Sequence, residues 1–284
     1  MSTDNILSKA AHRPHTIIEP THGWPWINLH ELWSYRDLLF ILAGRDIRLR
    51  YKQTILGIAW VILQPLVASL IFTVIFGYFA KLPSDGNPYL LFVFSGLLPW
   101  NLFAGTLSRA GNSLVTESKL VSKVYFPRML IPMASAIACL IDFAVTLIIM
   151  ILLIAIYGVS PTWHFLCLPY FLLLTIMAGY GVSLWLSAFN VYYRDFMYAL
   201  PFIVQVWMYA TPITYAMSII PERWRLWYSL NPAVGLIEGF RWALLGKSVL
   251  TVEIIAVTTL SAIIVLISGV FVFRRFERNF ADVL

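Results

Sequence analysis

The chain has 284 residues, of which 60% are hydrophobic and only 12% are charged, and its mean hydropathy is +0.79. A soluble domain needs about 25% charged residues to cover its surface, so this composition excludes a soluble globular protein and indicates a polytopic membrane protein. In such a protein the net charge of +6 reports orientation in the membrane and does not point to a nucleic-acid partner.

The cysteines and histidines predict neither a disulfide framework nor a metal site. Cys139 and Cys167 both lie inside apolar runs. All five histidines lie outside the long apolar runs, and none has a partner at the spacing of metal ligands.

The chain begins with a polar segment and a short amphipathic one. Residues 1–28 lack the apolar core of a signal peptide, so we interpret them as an uncleaved, mobile cytosolic tail. Residues 29–44 collect their apolar side chains on one helical face but are too short and too charged to span, which predicts a helix lying in the membrane interface. A basic cluster follows it, formed by Arg45, Arg48, Arg50 and Lys52.

Six later segments are apolar and long enough to cross a membrane, which takes about 20 residues. These predicted spans are residues 54–80, 89–115, 130–157, 165–190, 196–217 and 252–273. Each of the first five contains proline, Pro201 and Pro212 in the fifth, which favours kinks. We therefore predict an all-α fold of six transmembrane helices that forms one transmembrane domain over residues 29–284.

The distribution of basic residues predicts the orientation. Fifteen of the 20 Lys and Arg residues lie on the side of both termini, and five lie on the other side. Positive residues favour the cytoplasmic side, so both termini are predicted to be cytoplasmic.

The loop between spans five and six is rich in aromatic residues and arginine. Residues 218–250 include Trp224, Trp227 and Trp242, and Asn231-Pro232 interrupts them. This pattern predicts short amphipathic or re-entrant helices that dip into the outer leaflet.

The sequence predicts no catalytic residue, cofactor or nucleotide site. Gly246-Lys247-Ser248 is similar to the end of a phosphate-binding loop, but six residues separate it from Gly239 where that motif needs four. Asp142 is the one carboxylate deep inside a span. Because a lone charge there is costly, Asp142 either lines a polar path or proton relay, or is paired across helices or protonated by burial.

Several stretches, in order, closely resemble the permease subunits of type 2 ABC exporters, and among them the polysaccharide exporters. The matching stretches are Arg45 to Gly57 (RDIRLRYKQTILG) with Trp60 and Gln64-Pro65-Leu66, Ser95 to Trp100 (SGLLPW), Lys123 to Arg128 (KVYFPR), Asn190 to Asp195 (NVYYRD), and Asn231-Pro232. The resemblance covers nearly the whole chain from residue 29 and leaves out residues 1–28.

The resemblance implies a half-transporter in a bacterial inner membrane. Two copies would surround a conduit above two separate ATPase subunits, which would bind the ATP and magnesium. In the O-antigen branch of this family the exported glycan is linked to undecaprenyl diphosphate. The open alternatives are a permease of the same type for capsule, teichoic acid, a drug or a lipid, and, in another class, a self-contained channel or a membrane enzyme.

Three short segments have expected roles, the first from the resemblance and the other two from their residue types. Residues 117–126 would dock on the ATPase, through Glu117, Lys119, Lys123, Tyr125 and Phe126. The basic cluster Arg45, Arg48, Arg50 and Lys52 would bind anionic lipid, the diphosphate of a lipid-linked substrate, or both. Leu56 and Gly57 would form a gate or hinge before span one, although close helix packing explains the glycine equally well.

Polar and aromatic side chains form stripes on two of the predicted spans, which suits a wet path for sugars. The predicted conduit-lining residues are Tyr198, Gln205, Tyr209, Trp60, Tyr78, Phe72 and Phe76. For any single aromatic residue, helix packing or lipid contact is the favoured explanation.

Overall fold

The computed structural model describes residues 29–52, 57–160 and 162–283. The predicted tail, residues 1–28, and the predicted start of span one lie outside these ranges. The described residues form helices and no β-strand. The α-helices are α1 (Leu29–Ser34), α2 (Arg36–Lys52), α3 (Ala59–Phe72), α4 (Tyr89–Thr116), α5 (Ser118–Lys123), α6 (Leu130–Ile156), α7 (Leu168–Tyr192), α8 (Asp195–Tyr209), α9 (Glu222–Tyr228), α10 (Pro232–Leu245), α11 (Val252–Glu277) and α12 (Phe280–Val283).

Five helices in the described ranges are long and apolar enough to cross a membrane. They comprise Ala59–Phe79, Tyr89–Thr116, Leu130–Ile156, Trp163–Tyr192 and Val252–Glu277, where a π-helical segment extends α3 and a 3₁₀ turn precedes α7. Each coincides with a predicted span to within a few residues, apart from the start of the first, whose helix begins at Ala59 where the predicted span begins at residue 54.

The predicted fifth span is the exception. Its helix, α8, has 15 residues and ends at Tyr209, well before the predicted end at residue 217. Thr211 precedes Pro212, and the residue before a proline is disfavoured in the helical region, so helix cannot readily continue there. By length alone, α8 does not establish a sixth span.

The helix predicted over residues 29–44 is longer in the structure and is divided in two. The structure has a brief α1 and then α2, which continues past residue 44 to Lys52. Leu42 and Ala43 are buried, and α2 packs along α6. The basic cluster therefore belongs to a helix that follows α6 into the bundle, rather than to a separate segment after an interface helix.

Helix α4 forms the centre of the bundle, packed between α6 and α7 with α3, α8 and α10 around it. Helix α11 covers the outer side of α7, and the two backbones meet at Gly181 and Gly269. A Cβ on Gly269 would lie 2.2 Å from the carbonyl oxygen of Gly181, so only glycine fits this crossing.

The segment after α8 is broken where the sequence predicted, at Asn231. The Asn231 side chain accepts a hydrogen bond from the Ala233 amide and caps α10, which ends at Gly246 in the left-handed conformation (φ 72°). Nearly every residue of α10 is buried. Helix α10 therefore lies inside the bundle, and the prediction of an amphipathic helix in the outer leaflet is not confirmed for it.

Candidate functional site: a shared carboxylate between two cavities

Asp142, near the middle of α6, is bound by three donors from two other helices. Arg50 of α2 and Arg109 of α4 each approach the same oxygen, Oδ2, at 2.7 Å. The hydroxyl of Tyr51 donates to the other oxygen, Oδ1. Of the explanations open from the sequence, the structure shows pairing across helices.

Tyr51 serves this cluster as a neutral donor. Burial, together with the hydrogen bond and the negative charge of Asp142, raises the pKa of the Tyr51 phenol well above its ordinary value. The phenol therefore keeps its proton at neutral pH, and the hydrogen bond to Asp142 persists.

A second ion-pair cluster lies one turn earlier on α2. Arg45 binds Glu117 at 2.6 Å and Asp46 at 3.1 Å, and Asp46 also accepts a hydrogen bond from Ser135 of α6 at 3.0 Å. Burial by itself lowers the pKa of Arg45, but these carboxylates raise it overall. The cluster joins α2, α6 and the turn between α4 and α5.

Two cavities of about 540 Å³ each meet at Arg50 and Arg109, which line both. The inner cavity lies between α3, α4 and α6, and its polar lining includes Gln64, Asn101 and Asp142. The outer cavity is lined instead by Asp46, Glu117 and neighbouring residues of α2. The Asp142 cluster thus forms a polar wall between the two cavities.

The structure separates the members of the predicted basic cluster. Arg45 and Arg50 are ion-paired as described above, and Arg48 donates to the carbonyl of Gly44, one turn earlier on its own helix. Lys52 is exposed at the end of α2. Among these four residues, only Arg50 lines both cavities.

The predicted docking residues are not equivalent either. Lys119, Lys123 and Tyr125 are exposed on and just after α5, whereas Glu117 is tied to Arg45. Phe126 is only 4% exposed and packs in the hydrophobic core between α6, α7 and α11. The buried Phe126 side chain cannot contact a partner at the surface, so its predicted docking role is wrong. A docking role for the exposed residues stays a prediction.

The predicted hinge is only partly visible. Leu56 lies outside the described residues. Gly57 adopts a φ of 46°, a conformation that favours glycine, in the turn before α3. This explains the residue type, and a hinge motion stays a prediction.

The predicted conduit residues lie on α3, its π-helical extension and α8, and most of them point away from the bundle. Tyr198, Tyr209, Tyr78, Trp60 and Gln205 are exposed, while Phe72 and Phe76 are half-buried. Gln64 of α3 and Asn101 of α4 are exposed as well. Three amide side chains are therefore exposed. Gln64 and Asn101 belong to helices that are apolar enough to span a membrane, and Gln205 belongs to the shorter α8.

Sequence reasoning missed the roles of Arg109 and Tyr51. Arg109 counted only toward the orientation, and Tyr51 was read only within a family motif. The signal that pointed to both was Asp142, because a carboxylate in the middle of a span needs partners. The sequence alone does not say which donors reach it, since the helix predicted over residues 29–44 ended before Arg50 and Tyr51.

The ABC-2 type transporter family model matches residues 37–245 of the chain. The chain is 28% identical over 249 residues to the O-antigen export system permease protein RfbA of Klebsiella pneumoniae, covering 87% of this chain and 95% of that protein. It is 30% identical over 215 residues to RfbA of Myxococcus xanthus, covering 75% and 82%. It is 24% identical over 206 residues to the polysialic acid transport protein KpsM of Escherichia coli, covering 71% of this chain and 78% of that protein.

Proposed function

Because the chain belongs to the ABC-2 type transporter family, we propose that it is the membrane-spanning subunit of an ATP-driven exporter of polysaccharide in a bacterial inner membrane. The observation that carries this proposal is the match to permeases named for O-antigen export over nearly their whole length. Relatives named for capsule and polysialic acid transport match less closely, so an O-antigen-like glycan is favoured over capsule.

The proposed substrate is a finished glycan linked to a lipid diphosphate such as undecaprenyl diphosphate. Two observations support a substrate with an anionic group and a sugar chain. Arg50 and Arg109 line a cavity beside Asp142, and arginine suits phosphate oxygens. Exposed tyrosines on α8 offer broad apolar faces to sugar rings without holding any one of them tightly.

The proposed energy source is a separate ATPase subunit, two copies of which would bind two copies of this chain. Lys119, Lys123 and Tyr125 form an exposed mixed basic and aromatic surface that suits such a partner. We place this surface, and both termini, in the cytoplasm, because 15 of the 20 basic residues lie on that side.

A second copy of the chain is the proposed neighbour of the α3 and α8 faces. Exposed amides at membrane depth are costly against lipid unless protein or water meets them. Gln64, Asn101 and Gln205 are three such amides, and Gln64 and Asn101 line the inner cavity. A homodimer with its conduit along these faces would supply both protein and water.

We further propose that α8 and the residues after it together form the sixth span. A helix of 15 residues is about 22 Å long, short of a hydrocarbon core of about 30 Å. Non-helical backbone at that depth needs internal partners. They are present: Arg241 donates to the Ile213 carbonyl at 2.6 Å, Tyr228 donates to the Ala210 carbonyl at 3.0 Å, and Tyr89 donates to the Thr214 carbonyl.

Export in cells tests the proposal. A bacterial strain lacking its own O-antigen permease and ATPase would receive this chain, with or without a candidate partner ATPase from the same source organism. Export of surface glycan only when both are present is the expected result. Glycan export without any ATPase would favour a self-contained channel, and export of a drug or lipid but no glycan would favour another permease of this type.

A further inference from the structure

We infer that Arg50 and Arg109 form a binding site for a phosphate-type anion, and that Asp142 occupies this site as an internal counter-ion until the anion displaces it. The inference deepens the proposed function: the identity of the molecule that carries the anion rests on that function. Binding of the anion itself rests only on the contacts of Arg50, Arg109, Tyr51 and Asp142.

The first support is an imbalance of charge. Two guanidinium groups share one carboxylate oxygen, and the third donor, Tyr51, is neutral. Within this cluster Asp142 therefore balances only one of the two guanidinium charges. The neighbouring Arg45 cluster has the opposite imbalance, one guanidinium against the carboxylates of Asp46 and Glu117, but neither of those carboxylates is hydrogen-bonded to Arg50 or Arg109.

The second support is access. Arg50 and Arg109 side chains are each 33% exposed and Asp142 is 17% exposed, so solvent reaches all three. Both arginines line both cavities, each of about 540 Å³. The favoured approach for an anion is the inner cavity, because its described lining contains no carboxylate besides Asp142, whereas Asp46 and Glu117 line the outer cavity.

The third support is the fit of the donors to a tetrahedral oxyanion. Two guanidinium groups that converge on one carboxylate oxygen can make charge-assisted hydrogen bonds to separate oxygens of a phosphate group. The Tyr51 hydroxyl adds a neutral donor on the same side. A phosphate dianion in place of Asp142 would match the two positive charges, whereas a single carboxylate does not.

Displacement of Asp142 would also change the wall between the cavities. Asp142 holds the end of α2 to α6 and α4 through Arg50, Tyr51 and Arg109. An anion that takes both arginines would release α6 from α2 at this point. Anion binding is therefore expected to join the two cavities.

The test is binding of inorganic pyrophosphate to the full chain in phosphatidylcholine nanodiscs, measured by calorimetry. Asp142→Asn should bind about tenfold tighter than the natural chain, because a competing negative charge is removed. Arg109→Gln should bind at least tenfold more weakly. Glu277→Gln is the matched control: Glu277 pairs with Arg274 at 2.8 Å but lines neither cavity, so its loss should not change the affinity.

Nanodiscs that also contain phosphatidic acid distinguish the two sources of the anion. If a lipid headgroup is the ligand, phosphatidic acid should compete with pyrophosphate and be retained more strongly by Asp142→Asn in native mass spectrometry. If the ligand is a soluble anion, pyrophosphate should bind equally in both discs.

The inference is overturned if the natural chain and Asp142→Asn both bind neither probe, or if Arg109→Gln binds as well as the natural chain. A folded Asp142→Asn that binds more weakly would show that Asp142 only holds the helices together. Should Asp142→Asn fail to fold, Arg109→Lys decides: it keeps the charge but loses the planar donors, so intermediate binding is expected and unchanged binding refutes the site. Because none of these assays uses export, a failed export experiment leaves their outcome intact.

Discussion

Glu238 and Arg241, one turn apart on α10, form an ion pair of 2.8 Å in which each side chain is only 1% exposed. Arg241 also donates to the carbonyls of Phe92 on α4 and Ile213 after α8, and its guanidinium lies 3.6 Å from the Phe92 ring centroid. Ser248 donates to the other oxygen of Glu238 at 2.9 Å. One buried pair thus joins three separate parts of the chain.

Arg241→Gln is expected to destabilise the chain strongly. It leaves Glu238 as a buried, unpaired charge and removes a donor from the Ile213 carbonyl, and breaking a buried pair costs about 3–5 kcal/mol. The thermal midpoint of the purified chain in detergent measures the effect. Arg223→Gln on exposed α9 is the control, and an equal loss there would show that the burial of Arg241 is not the cause.

Gly269→Ala should destabilise the chain, because the added Cβ would lie 2.2 Å from the Gly181 carbonyl oxygen. Overpacking of this kind typically costs about 1–3 kcal/mol. Gly105→Ala is the control, since its Cβ would meet only Cys139 Sγ at 3.7 Å, an ordinary contact. Thermal unfolding of the two variants should differ clearly, and equal midpoints would contradict the tight crossing of α7 and α11.

Site-directed labelling should establish the orientation. In a background without Cys139 and Cys167, cysteines at exposed positions 160 and 222 should react in intact cells with an impermeant thiol reagent, and a cysteine at 119 should not. The reason is the excess of basic residues on the side that carries Lys119. Labelling at 119 together with protection at 222 would reverse the assignment.

Lys119→Glu and Tyr125→Ala should weaken co-purification with the partner ATPase without lowering the thermal midpoint of the chain. Both side chains are exposed, so their loss removes surface contacts only. Glu117→Gln is expected to lower the midpoint as well, since it breaks the bidentate pair with Arg45. If all three variants retain the ATPase fully, α5 is not the docking surface.

Tyr198→Ala and Tyr209→Ala should reduce surface glycan per assembled transporter while leaving assembly and ATP hydrolysis unchanged. These rings are 81% and 61% exposed on α8, so truncation costs little packing within the chain. Tyr157→Ala removes an exposed ring from the end of α6 and should not reduce export. A similar loss in all three variants would argue against a specific path along α8.

The spans were predictable because long apolar runs leave the backbone few alternatives in lipid. Helices α4, α6 and α11 accordingly begin at the predicted residues. The path of α2 was not predictable in the same way, because its charged residues find their partners on other helices. Arg50 and Asp142 are 92 positions apart in sequence, and no local pattern encodes their contact. The burial of α10 was not predictable for a related reason. An arginine in a sequence indicates a surface position, and the contacts of Arg241 with Glu238 and the Ile213 carbonyl are seen only in the structure.

Because Arg45 pairs with both Asp46 and Glu117, helix α2 is attached at this point to the turn that precedes α5. Five residues further along the same helix, Arg50 forms an ion pair with Asp142 in the middle of α6. The two attachment points are about 8 Å apart along the helix axis. A partner that shifts α5 would therefore also move Arg50, because no loop lies between Arg45 and Arg50 to absorb the motion. Force applied at the surface of the protein would reach the wall between the two cavities through a single stretch of helix.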